Sequence, residues 1–227
     1  MEPRVSFDIK IVFDDKCPRP GFLTGFGFSA LIFNHFTGNF SLFDTGGKSN
    51  VLIHNIKQFK INIFDIKNIV ISHNHYGHAG GLKGILQKNP NINVYVPMND
   101  SKSFSKKFPT NKIQGVNQMI EIEKNFLVSG QIDNYISEQS VFLKTKERKL
   151  IILVGCAHPG LEKFIIKANE ITKIKVIIGG FHGFKKFSYL NDIELIGACH
   201  CSRNINLIKK SFPNQFKQIC VGDTYSF

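Results

Sequence analysis

Three histidines crowd six positions in HNHYGH, residues 73–78. His73 and His75 lie on one side of an extended turn, so two imidazoles can converge on one ion. His78 follows as the chain bends toward a helix. Neutral imidazole is the commonest ligand for zinc and also suits iron, with zinc–nitrogen distances of about 2.0–2.1 Å. Three further histidines sit in short glycine- or cysteine-rich contexts: His158 in GCAHPG, His182 in GGFHG and His200 in ACHC. His35 and His54 have no such context.

The surrounding pattern places each histidine of interest just after a strand. Residues 5–13, 28–36 and 39–43 have the alternating, β-branched and aromatic character of a meander. A helix is expected over 48–59 from Val51, Leu52, Ile56 and Phe59. KNIVIS then forms a short buried strand that delivers the first cluster, and LKGILQK the helix after it. INVYVP reads as a strand, and 99–107 as a short helix or surface loop. Residues 113–145 suggest several antiparallel strands, ending with SVFLKT and KLIILVGCAH around a turn at KERK. From there strands and helices alternate: LIILVG, a helix over 160–170, KIKVIIGG, a loop over 181–193, IELIGACH, a helix over 203–211 and a last strand near 216–221. Loops at strand ends are where α/β folds build sites, because a rigid sheet holds residues that need not pack. No repeat, linker or low-complexity tract divides the chain, and one domain over 1–227 is expected.

Composition sets outer bounds. A chain of 227 residues with 42% hydrophobic content and 22 Phe can fill a layered core. No run approaches the ~20 apolar residues of a membrane span. MEPRVSFDIKIVF alternates and carries acids where a secretory signal would be basic and then continuously apolar, which predicts a cytoplasmic protein. Five cysteines, Cys17, Cys156, Cys199, Cys201 and Cys220, form an odd set without a small-domain framework, which predicts reduced thiols packed as small apolar groups. The formal charge of +12 is nearly all Lys, with four Arg among 29 basic residues. Specific phosphate recognition favours Arg forks, so a solvated basic surface is preferred over a nucleic-acid interface.

Taken in order, LFDTGG at 42–47, HNHYGH, GCAHPG and ACHC resemble the metallo-β-lactamase superfamily across nearly the whole chain. Within it the chain is most similar to the dihydropterin synthases of methanopterin biosynthesis. The resemblance implies a four-layer αββα sandwich of the α/β class with a metal site at one edge. It implies that His73, His75 and His158 hold a first ion, and that His78 and His200 serve a second. Asp44 would be a buried carboxylate orienting the histidine loop; capping the helix near Lys48 is its other possible role. Gly77 stands where the family pattern HxHxDH carries Asp, and no equivalent of the family's bridging Asp is found in VIIGGFHG. A carboxylate neutralises charge as well as coordinating. Its loss therefore predicts one tightly held ion, zinc with iron, manganese or magnesium as alternatives, and a second held weakly or not at all. A thiolate from Cys199 or Cys201 is a rival source of charge.

A metal in a His-rich open site polarises a carbonyl or phosphoryl oxygen and brings bound water toward a pKa of ~7, giving hydroxide at neutral pH. His182 is a candidate catalytic group, a substitute ligand, or simply a hydrogen-bonded loop histidine. Lys185, Lys186 and Arg203 could contact an anionic substrate, aided by helix N-terminal amides; plain surface charge is the competing reading of the lysines. Three activities fit: a hydrolase of small phosphate- or ester-bearing molecules with possible β-lactamase activity, a pterin-pathway synthase joining a dihydropterin diphosphate to an aryl-amine ribose phosphate, and a nuclease or noncatalytic nucleic-acid binder. The short chain disfavours the third.

Overall fold

The structure, a computed structural model, describes residues 5–227. Its first half runs β1 (Phe7–Phe13), β2 (Ser29–Asn34), β3 (Asn39–Phe43), α1 (Ser49–Gln58), β4 (Ile66–Val70), α2 (Tyr76–Ala79), α3 (Leu82–Lys88), β5 (Asn93–Pro97), α4 (Ser101–Lys107) and β6 (Lys112–Val116). The second half runs β7 (Ile120–Glu123), β8 (Phe126–Val128), β9 (Val141–Lys144), β10 (Leu150–Val154), α5 (Leu161–Asn169), β11 (Ile174–Gly180), β12 (Leu195–Cys199), α6 (Ile205–Ser211) and β13 (Thr224–Ser226). Two sheets result, ordered β13-β1-β2-β3-β4-β5-β6 and β12-β11-β10-β9-β8-β7.

Side-chain alternation explains the layers. Phe7, Ile9 and Ile11 of β1 point toward the second sheet, where they meet Phe126, Val141, Ile151 and Leu153. β10, LIILV, is buried at every position because it has a partner on both faces. Its Leu150, Ile152 and Val154 pack under Leu161, Phe164 and Ile165 of α5. On the far side, Val51, Leu52 and Ile56 of α1 and Leu82 and Ile85 of α3 cover Leu31, Leu42 and Ile69 of the first sheet. The order is helix, sheet, sheet, helix, the mixed α/β sandwich that the motifs imply. No helix among the described residues is long and apolar enough to cross a membrane.

Parallel pairing brings the important strand ends together. β3 pairs parallel with β4, Phe43 opposite Val70. In the other sheet β10, β11 and β12 are parallel, with Val154 opposite Gly179 and Gly180 opposite Cys199. The loops that carry the histidines therefore leave the C-terminal ends of these strands along one edge of the sandwich.

Several expectations need correction. The strand predicted near 216–221 makes only single bridges, Phe216 with Ile196 and Val221 with Pro18. Gly222, at φ 98°, turns the chain so that β13 instead pairs antiparallel with β1, Asp8 opposite Ser226. Within 113–145, β6 pairs parallel with β5 in the first sheet. The loop at 181–193 contains a short 3-10 turn, Phe187–Leu190. Lys48 holds the N-cap position of α1, so Asp44 does not cap it.

The cysteine expectation also changes. Cys17 and Cys220 form a disulfide, and Cys156, Cys199 and Cys201 are free. The loop after β1 lies along the chain before β13: the Arg19 N–H donates to Val221 O at 2.8 Å, and Arg19 Nε to Asp223 Oδ1 at 2.6 Å. An odd count concealed one pair 203 residues apart.

Phe126 is fully buried between the sheets, whereas Phe64 is 62% exposed. Phe126→Ala should cost about 3–5 kcal/mol of stability in denaturant titration, and Phe64→Ala less than about 0.5 kcal/mol. Equal effects would contradict the packing order.

Candidate metal centre

Asp44 leaves β3 with its backbone N–H on Val70 O at 2.8 Å, which sets its side chain beside the chain leaving β4. Its φ of 59° is a left-handed value that a non-glycine residue adopts only where the surroundings enforce it. Oδ1 accepts the Ser72 N–H at 2.6 Å, and Oδ2 accepts the Ser72 hydroxyl at 2.8 Å and His78 Nδ1–H at 2.7 Å. All three residues are buried.

This network fixes tautomers. Because Ser72 gives its only hydroxyl proton to Asp44, its oxygen is the acceptor for His73 Nδ1–H at 2.9 Å. The Nε2 lone pairs of His73 and His78 are then left for other partners. His200 follows the same rule, donating Nδ1–H to Asp15 Oδ1 at 3.0 Å while its backbone N–H reaches Asp14 Oδ2 at 3.2 Å. Asp15 also accepts the Gly27 N–H at 2.7 Å. A buried Glu138 holds the third loop, accepting the backbone N–H groups of Cys156, Ala157 and His158 at 2.8, 2.9 and 2.8 Å. Ala157, His182 and His200 share the left-handed backbone of Asp44, with φ of 56°, 44° and 47°.

The imidazoles converge. His73 Nε2 lies 3.0 Å from His75 Nδ1, and the His158 ring centroid is 4.7 Å from that of His73 and 5.0 Å from that of His75. His158 Nε2 is buried without a hydrogen-bond partner among the described residues. An orphaned nitrogen beside the paired ring nitrogens of His73 and His75 fits a borderline-soft divalent ion such as zinc, and these three residues are able to hold it. A second position lies beside it, with His73 and His78 rings 4.2 Å apart and those of His78 and His200 5.0 Å apart. Cys156 Sγ is 3.2 Å from His78 Nε2. The sulfur and ring nitrogens form two close triads, His73–Cys156–His158 and His78–Cys156–His200, with ligand atoms within 4.8 Å of one another in each.

Burial and crowding favour the neutral form of His73, His75 and His158. Burial, then the neighbouring histidines, lowers His73 well below its ordinary value and lowers His75. His158 is brought down to about 4, by burial first and then by His75 and His182. His200 moves the other way: burial works to lower it, and the Asp15 hydrogen bond and nearby negative groups overcome that. Burial pushes the Asp14 carboxyl up to about 6.

A pocket of about 350 Å3 adjoins the centre, with His158, His182, Phe181, Phe184, Lys185 and Lys186 in its lining. Lys186 Nζ pairs with Glu162 at 2.7 Å, and Lys185 is exposed. His182 Nδ1 is buried without a hydrogen-bond partner among the described residues, and its ring lies 5.1 Å from that of His158. Arg203 is exposed and meets His182 through its backbone, the N–H donating to His182 O at 2.8 Å. The final helix starts only at Ile205 and has seven residues, so it brings no long helix N-terminus to the site. At Gly77, a Cβ would lie 3.1 Å from Gly27 Cα and 3.2 Å from Phe26 Cε1. The Phe26 ring thus crowds a side chain at this position, and it lies edge-on to His200 at 5.7 Å.

Sequence reasoning missed Asp14, Asp15, Ser72, Glu138 and the position of Cys156. Two adjacent acids directly after a strand, in a chain with only 17, were the available signal for the first two. Neither of the thiols put forward as rivals belongs to the triads: Cys199 hydrogen-bonds Asp14, and Cys201 lies toward the Cys156 carbonyl at 3.9 Å.

A sandwich of two sheets whose facing strand ends gather histidines around a buried aspartate defines a metal-site α/β class. The chain belongs to the metallo-β-lactamase superfamily, whose family model matches residues 24–131. It is 27% identical to the 7,8-dihydropterin-6-methyl-4-(beta-D-ribofuranosyl)-aminobenzene-5'-phosphate synthase of Methanocaldococcus jannaschii, over 82% of this chain and 84% of that protein. An uncharacterised protein of the same organism is 30% identical, over 94% and 98%. The metallo-β-lactamase fold protein YhfI from Bacillus subtilis superposes with a TM-score of 0.71 at 12% identity, over 97% and 99% of the two chains.

Asp44→Asn removes charge and one acceptor from the network behind His73 and His78. Metal affinity should fall roughly 10–100-fold, measured by competition with a chromogenic chelator. An unchanged affinity would remove Asp44 from this role.

Proposed function

We propose that this chain is a metal-dependent hydrolase of a small anionic substrate bearing a phosphate or ester, able to open a β-lactam as a side reaction. The observation that supports it most is the partnerless, buried His158 Nε2 facing His73 and His75 at the edge of a cationic pocket. A divalent ion held by His73, His75 and His158 would polarise the scissile phosphoryl or carbonyl group and acidify water. The chain's own residues supply the rest. Ser72 and Asp44 keep His73 Nε2 unprotonated, Glu138 keeps the His158 loop rigid, and His182 stands over the pocket within reach of a bound group. Lys185 and Lys186 attract the anion, while Phe181 and Phe184 give it an apolar wall.

A second reading is favoured by the likeness to the M. jannaschii synthase over most of both chains. In it the same centre stabilises a departing diphosphate while an aryl-amine ribose phosphate adds to a dihydropterin. The two readings share the metal centre and differ in what receives the substrate carbon or phosphorus.

Assays of a chromogenic phosphodiester, a phosphomonoester and a lactam, with and without chelator, test the first reading. Turnover should vanish with chelator and fall by about 10²–10⁴-fold in His73→Ala, the range of a lost catalytic group. Lys185→Ala should mainly raise KM, by up to about tenfold. Turnover indifferent to chelator would overturn both readings. Product from a dihydropterin diphosphate and an aryl-amine phosphate, with no hydrolysis in the panel, would establish the second.

Gly77→Asp supplies the family carboxylate, and Phe26→Ala clears its path. The double variant should retain more metal after dialysis and hydrolyse faster than Phe26→Ala alone. Flat metal content and flat turnover would contradict the account of position 77.

A further inference from the structure

Cys156 belongs to both ligand triads, unlike any other residue in them. Its thiol is buried, and its backbone is clamped by Glu138 at 2.8 Å, next to the left-handed Ala157. Asp44 takes His78 Nδ1–H, so His78 Nε2 is an acceptor, and Cys156 Sγ–H at 3.2 Å is the donor that fills it. A thiol proton thus occupies the line along which a cation would bind both atoms. Close by, Gly77 offers no carboxylate, and a Cβ there would already crowd Gly27 and Phe26. His78 and His200 bring only neutral nitrogen or, for His200, a proton-bearing ring; Asp15 is already engaged by His200 and Gly27. The neighbouring Cys201 hydrogen-bonds Cys156 and can also become anionic, but Cys156 is the thiol whose sulfur lies among the ring nitrogens of both triads.

We infer that Cys156 is the anionic ligand of the second position, taking with His78 and His200 the place of the carboxylate missing at Gly77. This rests on the reading of the chain as a metal enzyme. Coordination breaks the S–H bond, the sulfur keeps the electron pair, and the proton passes to solvent, so binding needs no oxidant or reductant. The same sulfur lies within 4.8 Å of the ligand atoms of His73 and His158. It would therefore be within reach of an ion at either position. A soft thiolate selects zinc, or cobalt in its place, over magnesium and manganese at this position. Part of the charge lost at residue 77 is thus returned from residue 156, so a second ion binds, and a carboxylate restored at 77 would hold it more tightly still.

Cobalt(II) substitution of the full chain tests this without reference to turnover. The native protein should take up two equivalents and show a sulfur-to-cobalt charge-transfer band in the near ultraviolet as the second is added. Cys156→Ser and Cys156→Ala should lose the band and release the second equivalent at least ~10–100-fold more readily, as a ligand matters no less than the partners behind it. Cys199→Ala and Cys201→Ala should keep the band. Circular dichroism matching the native protein establishes that the Cys156 variants are folded, and Cys156→Asp, which restores an anion without sulfur, should recover the second equivalent without the band. Two equivalents bound with no band in the native protein would overturn the inference and leave the metal-enzyme reading standing. A band that survives Cys156→Ala and disappears in Cys201→Ala would overturn it in favour of Cys201. Failure to bind any cobalt would overturn both.

Discussion

One buried carboxylate sets the chemistry of the whole edge. Asp44 has no contact with solvent, yet its two oxygens accept one backbone N–H, one hydroxyl and one imidazole proton. A charge so placed is tolerated because its lone pairs are spoken for, and an unpaired one would cost several kcal/mol. What it gives in return is direction. Two of the protons it accepts lead to an unprotonated nitrogen facing the centre, on His78 directly and on His73 by way of the Ser72 hydroxyl. Asp15, just after β1 of the same sheet, does the same for His200 of the other sheet. Two carboxylates that coordinate nothing thus decide which nitrogens can.

The fold explains how such distant residues meet. Parallel pairing of β3 with β4, and of β10 with β11 and β12, makes these strands end together, and the inter-sheet core locks the two edges in register. Four of the eight non-glycine residues with left-handed φ among the described residues lie in the same place, Asp44, Ala157, His182 and His200. The packed sheets behind them supply the rigidity that holds those values.

Much of this was readable from residues alone. KNIVIS was legible as a short buried strand and LIILVG and KIKVIIGG as strands alternating with helices, and the ordered histidine motifs gave the family and the layers. Less readable were contacts between segments with no local signature. Nothing near Cys17 or Cys220 marks them as partners, since what joins them is the packing of two loops from opposite ends of the chain. Glu138 sits in a stretch with only an isolated bridge, and its role appears only when the 156–158 loop is folded against it. Cys156 resembled any small buried core residue. Its chemistry comes from His78, 78 positions away, and from the absence of a side chain at residue 77. Motif spacing conveys which residues are close along the chain, whereas charge compensation depends on which are close in space.

The most direct measurement is anomalous diffraction at the zinc edge from crystals of the zinc-loaded protein. The account predicts a strong peak about 2.0–2.1 Å from His73 Nε2, His75 Nδ1 and His158 Nε2. Peaks absent from this edge, with the three rings bonded only to one another and to solvent, would contradict it.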